Sequence, residues 1–277
     1  MPQSSLLAQL SVTATDVVIE TPIAHIWKVL RSDGTPAALK VYKDGDMQDE
    51  APGFALLAAW DGNGAARLYD QVAGAVLLEW LNGPSLGDMV RDGNDIAATT
   101  ILGEVAAKLH ATTPSLTVEL PRLEDDFAAL HAATFADDCP AQTKHTIQTA
   151  QVLAISLIAT QTDLRPLHRD LHHDNIKGSP RGYLAFDAKG IIGERAYELA
   201  NAFRNPIGAE ALYSDPQVIM RRLGMWSQTF DVPAKRLLEC AAVHSAMSLL
   251  WTHNGVFGLE AAEDVKLIDT FISLIPD

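Results

Sequence analysis

Cysteine is nearly absent: 277 residues contain two, Cys139 and Cys240, with no CxxC spacing and no partner at metal-ligand distance. A disulfide framework or a cysteine metal cluster is thereby excluded, and both thiols are expected to be reduced. Positive charge is scarce as well. Lys and Arg number 21 against 35 Asp and Glu, a formal net charge of −14. Such an acidic body excludes sequence-independent binding to nucleic acid or to an anionic membrane surface. The acids form no pure block, so they read as a solubilising surface rather than as a dock for a cationic partner. No Lys or Arg precedes Lys28, so the basic start of a secretory leader is missing. The longest uncharged helical run, 146–162, holds three Gln and several Thr and is too polar to span a bilayer. A cytoplasmic protein with no membrane partner is the expectation. A composition of 48% hydrophobic and 20% charged residues is that of a cored globular chain.

Strand-like runs occupy the first third: 16–20, 25–30 and 37–42, then 66–69 and 75–81. Asp33-Gly34 between the second and third accepts the positive φ of a tight hairpin. A helix is predicted over 51–60. Asn82-Gly83-Pro84-Ser85 ends this part with a cluster of turn formers. Helical periodicity follows, with Asp95 as the predicted cap of a helix over 96–110. Further helices are predicted near 123–135, 143–161, 194–203, 215–229, 234–253 and 259–274, with a short apolar strand at 183–186. The implied class is α+β, with a small sheet lobe over 1–82 and a larger, mainly helical lobe over 83–277.

Chemistry is densest at Leu167-His168-Arg169-Asp170-Leu171-His172-His173-Asp174-Asn175, an H-R-D-x-x-x-x-N pattern followed after the strand by Asp187. Phosphoryl transfer needs a carboxylate beside the attacking hydroxyl and oxygen ligands for the Mg²⁺ that neutralises the nucleotide phosphates. Asp170 suits the first role; Asn175 and Asp187 suit the second. A cation for the phosphates is supplied by Lys40, at the end of the apolar run Pro36–Val41, which resembles the V-A-I-K strand of kinases. Glu50, with Asp49 as the alternative, is the candidate to hold that lysine. Backbone groups at Glu79 and Leu81 would meet adenine. Other readings exist for each piece. The His/Asp cluster could be turn residues bonding their own backbone. His168, His172, His173 and Asp170 could bind a transition metal. Lys40 could be a strand-end lysine with its head in water. Their order along the chain favours the nucleotide site.

The run from Tyr183 to Asn201, with Asp187-Ala-Lys189-Gly190 and Glu194-Arg195-Ala-Tyr197-Glu198, resembles the aminoglycoside phosphotransferase group, in its streptomycin 6-phosphotransferase and hydroxyurea-kinase branch. The resemblance implies a bilobal protein-kinase-like fold and ATP- and Mg²⁺-dependent phosphorylation of a small-molecule hydroxyl. It makes Asp170 the catalytic aspartate, Asn175 and Asp187 the metal ligands, and Glu198 a buried structural acid beneath the catalytic loop. A protein kinase is disfavoured, because 188–204 contains no Ser or Thr to serve as a phosphorylated activation loop.

Three departures stand out. The loop 21–25 has no glycine, so Thr21 and His25 side chains could replace backbone amides against phosphates, or Pro22 simply tips a hairpin. Arg169 stands where the family often has a small residue. Ala-Lys-Gly follows Asp187 where protein kinases have Phe-Gly. On the acceptor side Glu194, Trp251, Glu260, Glu263 and Asp264 are candidates, although the acids read equally as solvated helix faces and Trp251 as core. A kinase of a metabolic hydroxyl (sugar, amino alcohol or amino acid), a silent nucleotide-binding module and a His/Asp metallohydrolase remain as alternatives.

Overall fold

The computed structural model describes residues 2–47, 50–116 and 118–276, with side chains at 16–18 left out of the description. In chain order, α1 (Ser4–Gln9) precedes β1 (Val12–Glu20), β2 (Ala24–Arg31) and β3 (Pro36–Tyr42). Helix α2 (Ala51–Trp60) crosses to β4 (Leu68–Val72) and β5 (Ala75–Glu79). The five strands form one antiparallel sheet in the order β1-β2-β3-β5-β4. The β2–β3 hairpin closes as its Asp33-Gly34 signal predicts, with Gly34 N–H donating to Arg31 C=O at 2.8 Å and φ +81° at the glycine. One sheet face buries Trp27, Val29, Leu39 and Leu77 beneath α1. Because side chains alternate along a strand, Lys40 then faces the other way, towards α2.

After β5 the chain passes through Leu81 to Ser85, pinned to the large lobe by Gly83 N–H on Gly178 C=O (2.8 Å) and Gly178 N–H on Pro84 C=O (3.0 Å). Helix α3 (Leu86–Arg91) starts with a reciprocal cap: Ser85 Oγ accepts from Asp88 N–H while Asp88 accepts from Ser85 N–H. Helix α4 (Asp95–Leu109) follows, then α5 (Leu123–His131), β6 (Thr134–Phe135) and α6 (Ala141–Thr160). Strands β7 (Leu164–Leu167), β8 (Ile176–Ser179), β9 (Gly182–Ala185) and β10 (Ile191–Glu194) come next, as the pairs β7–β10 and β8–β9. The chain ends with α7 (Glu210–Tyr213), α8 (Pro216–Phe230), α9 (Ala234–Thr252), β11 (Val256–Phe257) and α10 (Lys266–Leu274). Helix α9 is buried from Leu237 to Leu250 except at Glu239 and Ser248, which is why that stretch is mostly apolar. Among the described residues no helix is long and apolar enough to cross a membrane.

Several elements differ from expectation. The helix predicted over 194–203 is two 3-10 turns, 195–199 and 201–204, because Glu198 and Asn201 both turn their side chains to the loop 168–175. The helix predicted over 123–135 stops at His131 and yields to β6, and the one over 259–274 is a 3-10 turn at 259–262 followed by α10. Asp95 makes no cap. It lies in the first turn of α4, and its carboxylate pairs with Arg222 (2.7 Å) and Arg221 (2.5 Å) of α8. Arg222 is fully buried and also donates to the carbonyls of Ala202 and Asn205, so this ion pair fixes the second 3-10 turn from below.

Candidate active site

On the small-lobe side, Lys40 is 7% exposed, with Nζ 2.5 Å from Glu50 Oε2 and 3.2 Å from Asp187 Oδ1. Tyr42 donates its hydroxyl to the same Oε2, and Lys189 Nζ lies 2.8 Å from Glu50 Oε1. Burial alone would raise the pKa of Glu50. The hydrogen bonds from Lys189, Lys40 and Tyr42 outweigh it and hold the carboxyl at about 2. Asp49, the alternative partner for Lys40, lies outside the described residues. The contact depends on two glycines. A Cβ on Gly53 would stand 1.7 Å from Ala188 O, and one on Gly190, at φ +76°, 2.8 Å from the Pro52 carbonyl. Backbone thus meets backbone between α2 and the segment after Asp187.

On the large-lobe side, β7 delivers the loop that begins at His168. His168 is buried: its N–H donates to Glu198 Oε2 (3.0 Å) and its Nε2 lies 2.9 Å from Phe186 O. His110 Nε2 meets the same Glu198 oxygen at 2.7 Å, so this acid sits beneath the loop. Both carboxylate oxygens of Asp170 are held, Oδ2 by Asn175 Nδ2 (3.0 Å) and Oδ1 by Asn201 Nδ2 (2.8 Å). Arg169 adopts φ +70° and makes a two-point pair with Asp126 at 2.8 and 2.9 Å. Asp187 also has a left-handed backbone, φ +60°. Each such residue costs about 1–3 kcal/mol and persists only where its surroundings hold it. The transition-metal grouping is not assembled. His168 turns to the Phe186 carbonyl, His173 packs on Trp226, and among the described residues no three His, Cys, Asp or Glu side chains gather for an ion.

Two cavities adjoin here. The first, about 480 Å³, lies under the sheet, with apolar walls from Ile26, Ala38, Leu81 and Phe186 and with Lys40 and Asp187 at its polar end. The second, about 680 Å³, opens on Asp170, Lys189, Asn201, Arg204 and Trp251. Glu79, expected at the adenine, lines the first cavity. Its N–H is already bonded to Arg67 O at 2.9 Å and its carboxylate is clamped by Arg181. Thr21 borders the first cavity, but its hydroxyl closes its own turn by accepting from Ala24 N–H, while His25 faces Glu20. Trp251 is not core: it is 51% exposed and forms part of the wall of the second cavity. The acidic acceptor candidates are not brought there. Glu194 is paired with Arg236, Glu263 with Lys266, and Glu260 and Asp264 with His253. Asn201, Lys189, Arg204, Tyr42 and Asp126 carry the site's contacts without having been singled out. Only Lys189 had a usable signal, its place two residues after Asp187.

Two lobes with an apolar cleft between them, a buried lysine–carboxylate pair above and an Asp-x₄-Asn loop below, define a kinase-like fold. Solved structures agree. The amicoumacin kinase hAmiN, in complex with AMP-PNP, Ca²⁺ and Ami, aligns at a TM-score of 0.65 and 13% identity, over 99% of this chain and 92% of that one. The aminoglycoside phosphotransferase APH(4)-Ia, in ternary complex with ADP and hygromycin B, aligns at 0.61 and 11% identity, over 98% of each. The model of the aminoglycoside/hydroxyurea antibiotic resistance kinase family matches residues 10–255. The streptomycin 3''-kinase of Klebsiella pneumoniae is 34% identical over 229 residues, 80% of this chain and 82% of its own. The chain belongs to the aminoglycoside/hydroxyurea antibiotic resistance kinase family. It is a phosphotransferase that uses a small-molecule hydroxyl as acceptor.

Proposed function

We propose that the protein transfers the γ-phosphoryl group of ATP to a hydroxyl of a small molecule seated in the second cavity, with Asp170 as catalytic base. Residues 1–82 form the nucleotide-binding lobe and 83–277 the catalytic and acceptor-binding lobe. Adenine occupies the apolar cleft, against the Glu79 carbonyl and Leu81. Lys40, oriented by Glu50, meets the phosphates. The acceptor hydroxyl gives its proton to Asp170 while its oxygen attacks the γ-phosphorus. The bond from γ-phosphorus to the bridging oxygen breaks, and ADP leaves. Asn201 and Asn175 hold the Asp170 carboxylate ready, so the gain comes from positioning and electrostatics. The donor set suits Mg²⁺: Asp187 supplies a carboxylate, and Asn175, its amide nitrogen turned to Asp170, supplies its Oδ1. Held by these two residues, such an ion would supply positive charge against the triphosphate.

The observation that carries this reading is the contact of Lys40 with both Glu50 and Asp187, one bond from each lobe. The family and the 34% identical relative support an aminoglycoside such as streptomycin, or hydroxyurea, as acceptor. The resemblance suggested the 6-hydroxyl, whereas that relative is named for the 3'' position. The charge of the second cavity favours another reading, a metabolic hydroxyl acceptor. A coupled ADP assay of the full chain with Mg-ATP across streptomycin, hydroxyurea and polyols tests the function. Asp170→Asn should lower kcat by on the order of 10²–10⁴-fold. ATP should still raise the melting temperature of that variant. Undiminished turnover in it removes Asp170 from the mechanism, and ATP binding with no turnover on any acceptor makes the protein a silent nucleotide-binding module.

A further inference from the structure

His172 stands two residues after Asp170 and, like it, lines the second cavity. It caps the 3-10 turn His173–Asn175, where its Nδ1 accepts from Asp174 N–H at 3.3 Å. That one bond fixes the tautomer. A ring nitrogen that accepts carries no hydrogen, so the ring bears its hydrogen on Nε2. Among the described residues Nε2 has no hydrogen-bond partner. It faces Asp170 Oδ1 at 3.9 Å, too far for a direct bond. The site thus holds a donor on one side of this gap and, on the other, the carboxylate that Asn175 and Asn201 keep in place. Each oxygen of that carboxylate takes one of these amides and has a second acceptor position left.

A single oxygen atom spans such a gap. Two partners about 2.8 Å from one oxygen, and at right angles to each other, stand about 4 Å apart. We propose that the acceptor hydroxyl bridges His172 and Asp170, which makes His172 a second catalytic residue of the loop. The hydroxyl donates its hydrogen to Asp170, and one of its two lone pairs accepts from His172 Nε2–H. The other lone pair is left for the γ-phosphorus. Held by Asp170 alone, the hydroxyl turns freely about that bond; held by both, its free lone pair has one direction. In the transfer the O–H bond gives its proton to Asp170, the new O–P bond forms, and the bond to the ADP oxygen breaks. His172 keeps its hydrogen throughout. The arrangement also selects the group phosphorylated. An ammonium or guanidinium carries donors only and cannot accept from Nε2–H, so an acceptor rich in such groups is seated by a hydroxyl. This inference rests on the phosphotransfer reading with Asp170 as base.

Two substitutions separate this role from that of a cap. His172→Asn keeps an acceptor for Asp174 N–H, because asparagine is a favoured cap, but its amide ends where Nδ1 ends and cannot reach the hydroxyl. His172→Gln gives up the cap and carries an amide N–H out to the reach of Nε2. ADP release is followed on the full chain with Mg-ATP and streptomycin, hydroxyurea or sorbitol, and with water as the only acceptor. Melting shifts with Mg-ADP read nucleotide binding. His172→Asn should lower kcat/KM for the acceptor on the order of 10-fold, the weight of one hydrogen bond, with the Mg-ADP shift unchanged. His172→Gln should recover most of that loss. A cap alone predicts the opposite order, with His172→Asn near native and His172→Gln impaired. That order, equal loss in both variants, or no loss in either overturns the proposal while the native chain remains a phosphotransferase. A native chain that releases no ADP with any acceptor, water included, removes the phosphotransfer reading itself, and the role of His172 falls with it.

Discussion

Lys189 Nζ lies 2.8 Å from Glu50 Oε1, a bond that joins the segment after Asp187 to the helix of the small lobe. The other oxygen of the same carboxylate takes Lys40 and Tyr42. Glu50 thereby couples β3, α2 and the large lobe, and Lys189 itself faces the second cavity. The two cavities share this one acid as a wall support.

Glu50 should make the fold acid-sensitive over a defined window. Its folded pKa, about 2, lies below the ordinary 4.5. A depressed folded pKa stabilises above the unfolded value, and the gain is lost as pH falls towards the folded one. The stabilisation is about 3 kcal/mol, from 1.36 kcal/mol per unit. The stability difference between the native chain and Glu50→Gln should therefore be largest above pH 4.5 and shrink steadily towards pH 2. Urea unfolding at several pH values measures it, and a flat difference would show that the lysines do not hold the carboxylate.

Gly53→Ala should damage the site at a distance from every polar group. The added methyl would stand 1.7 Å from the Ala188 carbonyl, and backbone cannot yield as a side chain does. Helix α2 must shift, drawing Glu50 from Lys40 and Lys189. Overpacking of this kind costs about 1–3 kcal/mol. The KM for ATP should rise along with a lower melting temperature. Gly224→Ala is the control, because Gly224 lies inside α8 with open space around it. There alanine should stabilise, by up to about 1 kcal/mol.

Much of this was readable along the chain, and the reason is locality. Asp33-Gly34 turns, β3 alternates, and Asp170 to Asn175 is one loop whose spacing is itself the signal. Contacts between remote segments were not readable. Asp95 looks like a cap because aspartate favours both a cap and a first turn, and only the presence of Arg222, 127 positions on, decides between them. Trp251 follows the buried Leu249 and Leu250, yet one further step around the helix turns it outward, a step that apolar composition does not reveal. Asn201 lies 31 residues from Asp170 and looks like any helical asparagine until the 3-10 turn aims it.

Asp95→Ala should cost about 3–5 kcal/mol, because it leaves Arg222 charged and fully buried with no carboxylate. Arg222 also anchors the carbonyls of Ala202 and Asn205. The loss should therefore loosen the turn bearing Asn201 and Arg204, and acceptor KM should rise more than ATP KM. Denaturant melts and initial rates with each substrate varied in turn check both halves. Equal effects on the two KM values would place the damage elsewhere.

Asn201 should act on Asp170 through charge and orientation rather than through the fold. Its Nδ2 holds Asp170 Oδ1 at 2.8 Å, while Asn205 Nδ2 donates to its Oδ1 at 2.9 Å and so keeps the amide nitrogen aimed. Asn201→Leu removes the donor at similar volume, and kcat should fall about 10-fold, the order of one hydrogen bond to a charged group, with ATP KM unchanged. Asn201→Asp instead sets a second carboxylate beside the first. A like charge disfavours ionisation, so the Asp170 pKa must rise. Because the base works only when deprotonated, and both variants withdraw the donor that favours its charged form, the acid limb of the kcat profile should move to higher pH in each and further in Asn201→Asp. A pH–rate profile of the three proteins decides it: if the limb does not move, the base is some group other than Asp170.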